Sequence, residues 1–250
     1  MTVPMSPRRI LVFKHMSAQN PGIFRDFADD LCVEFTEIDL YAGDQIPPVD
    51  GFDGLWVMGG SMNVWETDQY PWLVEERKAI RHAVVDLELP FLGVCLGHQL
   101  LSEAMGGVVE PAQHQEVVLA TVTPTAAGID HPILRGLDMP MRWVSVHSAE
   151  VVRAPPGAVV LASSDVCSNH VMQVGPLAYS CQFHPEVCGT TLSGWMDIPG
   201  VPAMAEQQLG AEGVEAFARD VTSNMAAHNE AALQLFINWC ELTLGPSELG

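Results

Sequence analysis

The stretch that decides the fold is LPFLGVCLGHQLL, residues 89–101. It begins as a short apolar run typical of a buried strand and continues with the apolar spacing of a helix. Gly93 and Gly97 flank Cys95 and permit a tight strand-to-helix turn, the nucleophile elbow. Such a turn presents the thiol at a helix N-terminus, where the helix dipole favours the thiolate. We therefore predict that Cys95 is a nucleophile and that the Leu96 N–H is an oxyanion donor.

Strand-like and helical segments alternate on the N-terminal side of this elbow. They are RILVF, GIFRDFADDLC, VEFTEIDL, GLWVMGG and YPWLVEERKAIRHAVVDLE. This alternation is typical of parallel strands joined by crossover helices. Beyond the elbow, β-like runs between Val108 and Phe183 predict hairpins or antiparallel additions, and residues Gly213 to Leu244 carry an amphipathic helical pattern.

The predicted architecture is a three-layer α/β sandwich with a mostly parallel central sheet, antiparallel additions and C-terminal helices. A chain of 250 residues is long enough for one large domain. We expect a single domain over residues 1–250, with a C-terminal helical extension from about residue 189 to residue 250.

The charge balance limits the possible partners. Eleven Lys and Arg against 31 Asp and Glu give a formal net charge of -20, which repels nucleic acid and anionic lipid. The first residues lack the apolar core of a signal peptide, and no later stretch reaches membrane-spanning length. We expect a cytoplasmic protein that binds neither nucleic acid nor membranes.

Cysteine and histidine usage gives no sign of a metal or redox centre. Six cysteines occur without a C-x-x-C pair, and nine histidines without metal-ligand spacing. We predict that the five cysteines other than Cys95 fill the interior as small apolar groups, and that the protein uses no metal or other cofactor.

Two further motifs complete a candidate site. A glycine pair follows the predicted strand GLWV, and Gly60 is the candidate for a second oxyanion donor. The segment LAYSCQFHPEV reads as a strand ending in His184-Pro185-Glu186, and residues two apart on extended backbone project to the same side. His184 could then serve Cys95 as general base, with Glu186 orienting the imidazole.

Together these motifs resemble the class I, triad-type glutamine amidotransferases, specifically single-domain members similar to the glutaminase of GMP synthetase, whose fold is flavodoxin-like. The shared stretches are MGGSMN, YPWL, GVCLGHQLL, AMGG, the His147-Ser148 segment and QFHPEV. The resemblance implies that Cys95, His184 and Glu186 form the triad, and that Gly60 and Leu96 bind the oxyanion. It further implies that the glutamate moiety is held by four residues: Gln99, His147, Ser148 and Ala149.

The chain also departs from this family. His147-Ser148-Ala149 stands where members similar to GMP synthetase usually have His-Gly-Asp, so Ala149 offers no side chain for the glutamyl α-amino group. Glu116-Val117-Val118 replaces a Glu-Ile-Gly segment. We weigh two readings of Glu116: a carboxylate that lines the site, or one exposed on a strand.

The expected activity is hydrolysis of the γ-amide of glutamine, or of a γ-glutamyl amine or peptide, through a γ-glutamyl thioester. One alternative is a glutaminase subunit that delivers ammonia to a separate synthase, and another is a non-catalytic binding relative. The PfpI-like proteins also carry a cysteine elbow, but they typically have His after the Cys, where this chain has Leu96.

Overall fold

A computed structural model describes residues 6–196 and 201–245. The strands are β1 Arg8–Lys14, β2 Val33–Asp39, β3 Gly54–Val57, β4 Phe91–Val94, β5 Val108–Pro124, β6 Met141–Arg153, β7 Val159–Ser163, β8 Val171–Val174 and β9 Ala178–Cys181. The helices are α1 Phe24–Ala28, α2 Trp72–Arg81, α3 Leu96–Ala104, α4 Gly189–Met196 and α5 Val201–Thr243. A π-helical turn, His82–Asp86, continues α2.

Within the described residues, the strands form one nine-stranded sheet in the order β2-β1-β3-β4-β9-β8-β7-β5-β6. The five strands from β2 to β9 pair in parallel, and this group is called the parallel half. From β9 onward every pairing is antiparallel, and the strands β8, β7, β5 and β6 are called the antiparallel half. The predicted fold class, including the antiparallel additions, is confirmed.

Alternate residues of the parallel strands bury on opposite faces of the sheet. Ile10 and Val12 of β1 pack in a core that includes side chains from α1 and α5. Leu11 and Phe13 pack in a second core, which includes side chains from α2 and α3. Each fully buried side chain of this size contributes about 1.5–3 kcal/mol. Helices therefore cover both faces of the parallel half, as the three-layer prediction requires.

The C-terminal segment was predicted to be an amphipathic helix, and α5 packs with its apolar side chains on one face of the sheet. The indole N–H of Trp239 donates to the carbonyl oxygen of Phe91 in β4 at 3.1 Å. Helix α5 is broken at Gly210, whose φ of 68° and ψ of 166° are not helical. Residues 197–200 and 246–250 of the predicted extension lie outside the described residues. In the part of the chain that the structure describes, no helix is both long and apolar enough to cross a membrane.

The prediction that all five other cysteines fill the interior is wrong in part. Cys167, Cys181 and Cys240 are buried, whereas Cys188 is half-buried and Cys32 is exposed. Cys32 has a φ of 53° at the turn before β2, where the chain reverses at the surface. Cysteine spacing alone carries no information about such a turn.

Candidate active site

The elbow at Cys95 is built by close backbone packing. Cys95 joins β4 to α3 with φ 52° and ψ −101°, a conformation that L-residues rarely adopt. A Cβ at Gly93 would lie 2.6 Å from the carbonyl oxygen of Gly97, and a Cβ at Gly97 would lie 2.0 Å from that of Val57. Both glycines are therefore required, and Cys95 lies at the C-terminal end of a strand, as predicted.

The structure brings the three predicted triad residues together. The Nδ1 of His184 lies 2.7 Å from Oε1 of Glu186, and the side chain of Cys95 lies close enough to the same imidazole to influence its charge. All three residues are buried. Burial opposes charge on His184, but the negative charges of Glu186 and Cys95 outweigh it and raise the pKa of His184 to about 10. At neutral pH the imidazole is therefore protonated, and it lies between the side chains of Glu186 and Cys95.

The strand conformation predicted for the segment from His184 to Glu186 is wrong. Strand β9 ends at Cys181, and residues 185–186 form a turn, so His184 and Glu186 do not lie on an extended strand. They meet because the turn folds the carboxylate back onto the ring. The backbone N–H of His184 donates to the carbonyl oxygen of Val144 at 2.8 Å, which ties this turn to β6.

The imidazole is also held from the side of α4. The ring of Trp195 contacts His184 edge to face, with a centroid separation of 4.5 Å. The carbonyl oxygen of Glu186 accepts from the N–H of Ile23 at 3.0 Å, and a Cβ at Gly22 would overlap the same carbonyl. The base and its orienting carboxylate are thus fixed by two neighbouring segments.

Cys95 opens into a cavity of about 240 Å³. Its lining residues are Gly60, Ser61, Met62, Asn63, Cys95, Gln99, Val146, His147, Ser148, Ala149 and Met204. The four residues expected to hold the glutamate moiety all line it, as does the expected oxyanion donor Gly60. The cavity lies between the elbow, strand β6 and the loop after β3 that contains Gly59 and Gly60, called the glycine loop. Met204 of α5 lies at its border.

Both expected oxyanion donors adjoin the elbow. A Cβ at Gly60 would lie 2.8 Å from Cδ2 of Leu96, so the glycine loop packs directly on the start of α3. Among the hydrogen bonds of the described residues, none uses the backbone N–H of Gly60 or of Leu96. Both groups can therefore donate to a bound oxyanion without breaking an internal bond.

Glutamine side chains link the elbow to strand β6. The Nε2 of Gln99 donates to the carbonyl oxygen of Ala149 at 2.9 Å and to Oε1 of Gln182 at 3.2 Å. The Nε2 of Gln182 then points to Sγ of Cys95 at 3.6 Å. Sequence reasoning assigned no role to Gln182, although it stands inside the QFHPEV motif. The signal that could have found it is its spacing of two residues before His184.

Of the two interpretations of Glu116, the one with an exposed carboxylate on a strand is wrong. Its side chain is buried and accepts from Oγ of Ser145 at 2.9 Å and from Nε2 of His147 at 2.7 Å. Burial opposes ionisation, but the hydrogen bond and charge of His147 prevail and lower the pKa of Glu116. Glu116 lies behind the cavity wall and orients His147, which itself lines the cavity.

Among the described residues, no group of three or more His, Cys, Asp or Glu side chains is arranged to hold a metal ion. The absence of a cofactor stays a prediction. Met204 was also missed by sequence reasoning. It reaches the cavity only through the tertiary packing of α5, which leaves no local signal in the sequence.

Comparison with known proteins agrees with this architecture. Residues 31–194 match the glutamine amidotransferase class-I family. The chain is 30% identical over 190 residues to a glutamine amidotransferase-like protein of Salmonella typhimurium, covering 74% of this chain and 79% of that protein. It is 37% identical over 105 residues to one subunit of the glutamine-hydrolyzing GMP synthase of Halobacterium salinarum, covering 42% of this chain and 56% of that subunit.

A solved structure shares the fold along nearly the whole chain. The crystal structure of a glutamine amidotransferase from Thermotoga maritima superposes with a TM-score of 0.82. The sequence identity is 22%, and the match covers 94% of this chain and 98% of that one.

Proposed function

The chain belongs to the class-I glutamine amidotransferase family, and from this membership we propose that it hydrolyses a γ-glutamyl amide through a thioester on Cys95. The amide is that of glutamine, a γ-glutamyl amine or a γ-glutamyl peptide. The observation that carries the proposal is the elbow cysteine, which lies beside the hydrogen-bonded pair His184–Glu186 and opens into the cavity.

In this mechanism the Cys95 thiol first gives its proton to His184. The resulting thiolate attacks the γ-carbonyl carbon, and the carbonyl π electrons move to oxygen. The resulting oxyanion accepts hydrogen bonds from the N–H groups of Gly60 and Leu96. His184, now protonated, gives its proton to the departing amine as the carbon–nitrogen bond breaks, which leaves the thioester. A water then loses a proton to His184 and attacks the thioester, releasing glutamate and returning the thiolate–imidazolium pair.

The cavity wall suggests how the glutamyl group is held. The amide nitrogen of Gln99 is used internally, so its carbonyl oxygen is the group that can accept from a substrate ammonium. The backbone of Ser148 and Ala149 adds polar groups at the same wall. We assign the α-amino group to Gln99, because Ala149 lacks the carboxylate found at this position in relatives similar to GMP synthetase.

The close packing of Gly60 against Leu96 favours a hydrolase that works without a synthase. An ammonia-delivering subunit is expected to have its oxyanion donors misplaced until a partner docks, whereas here Gly60 already packs on Leu96. The second candidate is a glutaminase subunit for a separate synthase. It is favoured by the 37% identity to the Halobacterium salinarum GMP synthase subunit, although that match covers only 56% of the relative.

The test is to incubate the purified chain with glutamine, γ-glutamyl amines and γ-glutamyl peptides and to measure glutamate release. Rapid turnover of one amide by the isolated chain is the expected result. Negligible release from every amide, restored by a cell fraction that contains a synthase, would reject the free hydrolase in favour of the ammonia-delivering subunit. A Cys95→Ala control that releases glutamate as fast as the parent would exclude covalent catalysis at Cys95.

A further inference from the structure

A buried ion pair lies behind the glycine loop that follows β3. His15, directly after β1, and Glu76, on α2, are almost completely inaccessible to solvent. The Nε2 of His15 lies 2.9 Å from Oε1 of Glu76, and its Nδ1 lies 2.9 Å from the carbonyl oxygen of Gly59. The pair therefore connects α2 to the loop that carries Gly60.

Both partners of the His15 ring accept hydrogen bonds, so both ring nitrogens must donate and the imidazole is protonated. Burial opposes this charge, but the charge and hydrogen bond of Glu76 prevail and raise the pKa of His15. The ring also stacks on Trp72, with a centroid separation of 5.2 Å. Stability is a weak explanation for such a pair, because the desolvation of two buried charges often cancels their attraction.

The hydrogen bond to Gly59 has a geometric consequence for its neighbour. In a trans peptide the C=O of one residue and the N–H of the next point in opposite directions. Because His15 holds the Gly59 carbonyl, the Gly60 N–H of the same peptide points away from His15. Gly60 itself lines the cavity into which Cys95 opens.

Neighbouring side chains also pack closely against both glycines of the loop. A Cβ at Gly60 would lie 2.6 Å from Sδ of Met62 and 2.9 Å from Cβ of His15. A Cβ at Gly59 would lie 2.6 Å from Oε1 of Gln19. A charged donor on the carbonyl side further polarises the peptide and strengthens the N–H as a donor.

We propose that His15 is a positioning residue for the oxyanion hole: its charged hydrogen bond to Gly59 aims the Gly60 N–H at the reacting carbonyl oxygen. This inference rests on the proposed function. Glu76 keeps His15 protonated and fixes the ring, and neither residue touches the substrate. His15 thus acts on the transition state, where the oxyanion forms, and not on ground-state binding.

The test compares His15→Leu and His15→Asn in the full chain, with glutamine and γ-glutamyl p-nitroanilide as substrates. Leucine removes the donor, whereas the asparagine amide can replace Nδ1 as a donor to Gly59. We expect His15→Leu to lower kcat about tenfold or more and to change KM by less than about threefold, with part of kcat restored in His15→Asn. In both His15 variants, Cys95 should react with iodoacetamide at the parent rate, because the displacement of iodide by sulfur forms no oxyanion.

The matched control is Asn238→Leu, which removes another buried polar group, one whose amide donates to the carbonyl oxygens of Ile133 and Arg135. It should lower the melting temperature and leave kcat unchanged. A His15→Leu variant with kcat within about twofold of the parent would overturn the inference, as would equal kcat losses in both His15 variants or a parallel fall in alkylation rate. A parent chain that hydrolyses neither substrate would instead overturn the proposed function, and the inference with it.

Discussion

The two halves of the sheet meet at the cavity, but they hold their site residues in different ways. In the parallel half, the position of Cys95 is set by backbone packing, because the glycines of the elbow leave no room for any side chain. In the antiparallel half, the wall at His147 is set by side chains, since the buried carboxylate of Glu116 orients the imidazole. The difference suggests that the parallel half carries the chemistry and the antiparallel half carries recognition of the glutamyl group.

The largest effect is expected at the nucleophile. Cys95→Ala should lower kcat by at least about 10³-fold, because no thioester can form, and should leave the melting temperature nearly unchanged. The measurement is glutamate release together with thermal unfolding. Its matched control is Cys240→Ala, which removes a buried thiol of α5 and should cost about 1–2 kcal/mol of stability without changing kcat.

The next effect is expected at the orienting carboxylate. Glu186→Gln should lower kcat by about 10²–10⁴-fold at neutral pH, because the ring of His184 loses the charge that fixes its tautomer and stabilises its protonated form. Steady-state kinetics on the fastest substrate of the panel measure this loss. A variant that keeps parent kcat would show that the pair next to Cys95 is structural only.

A smaller effect, of a different kind, is expected in the antiparallel half. Glu116→Gln keeps a group that can hydrogen-bond His147 but removes its charge, so KM should rise about tenfold while kcat stays within about threefold. If kcat falls as far as it does in Glu186→Gln, the division between chemistry and recognition is wrong.

The sequence predicts these two halves unequally well. The elbow can be predicted from the sequence. A cysteine with a glycine on each side, placed between a strand-like and a helical pattern, indicates a turn too tight for larger neighbours. The three predicted triad residues do lie together although the strand geometry argued for His184 and Glu186 is wrong, because these two residues are close in the chain. The roles of Glu116 and His15 could not be predicted from the sequence in this way. Their partners lie 31 and 61 residues away, and only the folded sheet brings them together.

The smallest effects are expected in the dependence of stability on pH. The folded pKa of His184 is about 10, above its ordinary 6.5, so this site contributes stability that is fully present below pH 6.5 and lost as the pH rises through 10. The folded pKa of Glu116 lies below its ordinary 4.5, so its contribution is present above pH 4.5 and lost as the pH falls through the lower, folded value.

Urea unfolding across both ranges checks these signs. Glu186→Gln should reduce the pH dependence of the free energy of unfolding in the alkaline range only. Glu116→Gln should reduce it in the acid range only. Each variant is the control for the other. Identical pH profiles in the two variants would contradict the separate roles of the two buried pairs.

The most direct measurement of the central claim is the mass of the acid-quenched chain during turnover of the best γ-glutamyl amide. The account predicts a parent chain heavier by one γ-glutamyl group, with peptide mapping that places the group on Cys95, and no such species in Cys95→Ala. Glutamate release by the parent with the added group on another residue, or undiminished release by Cys95→Ala, would contradict it.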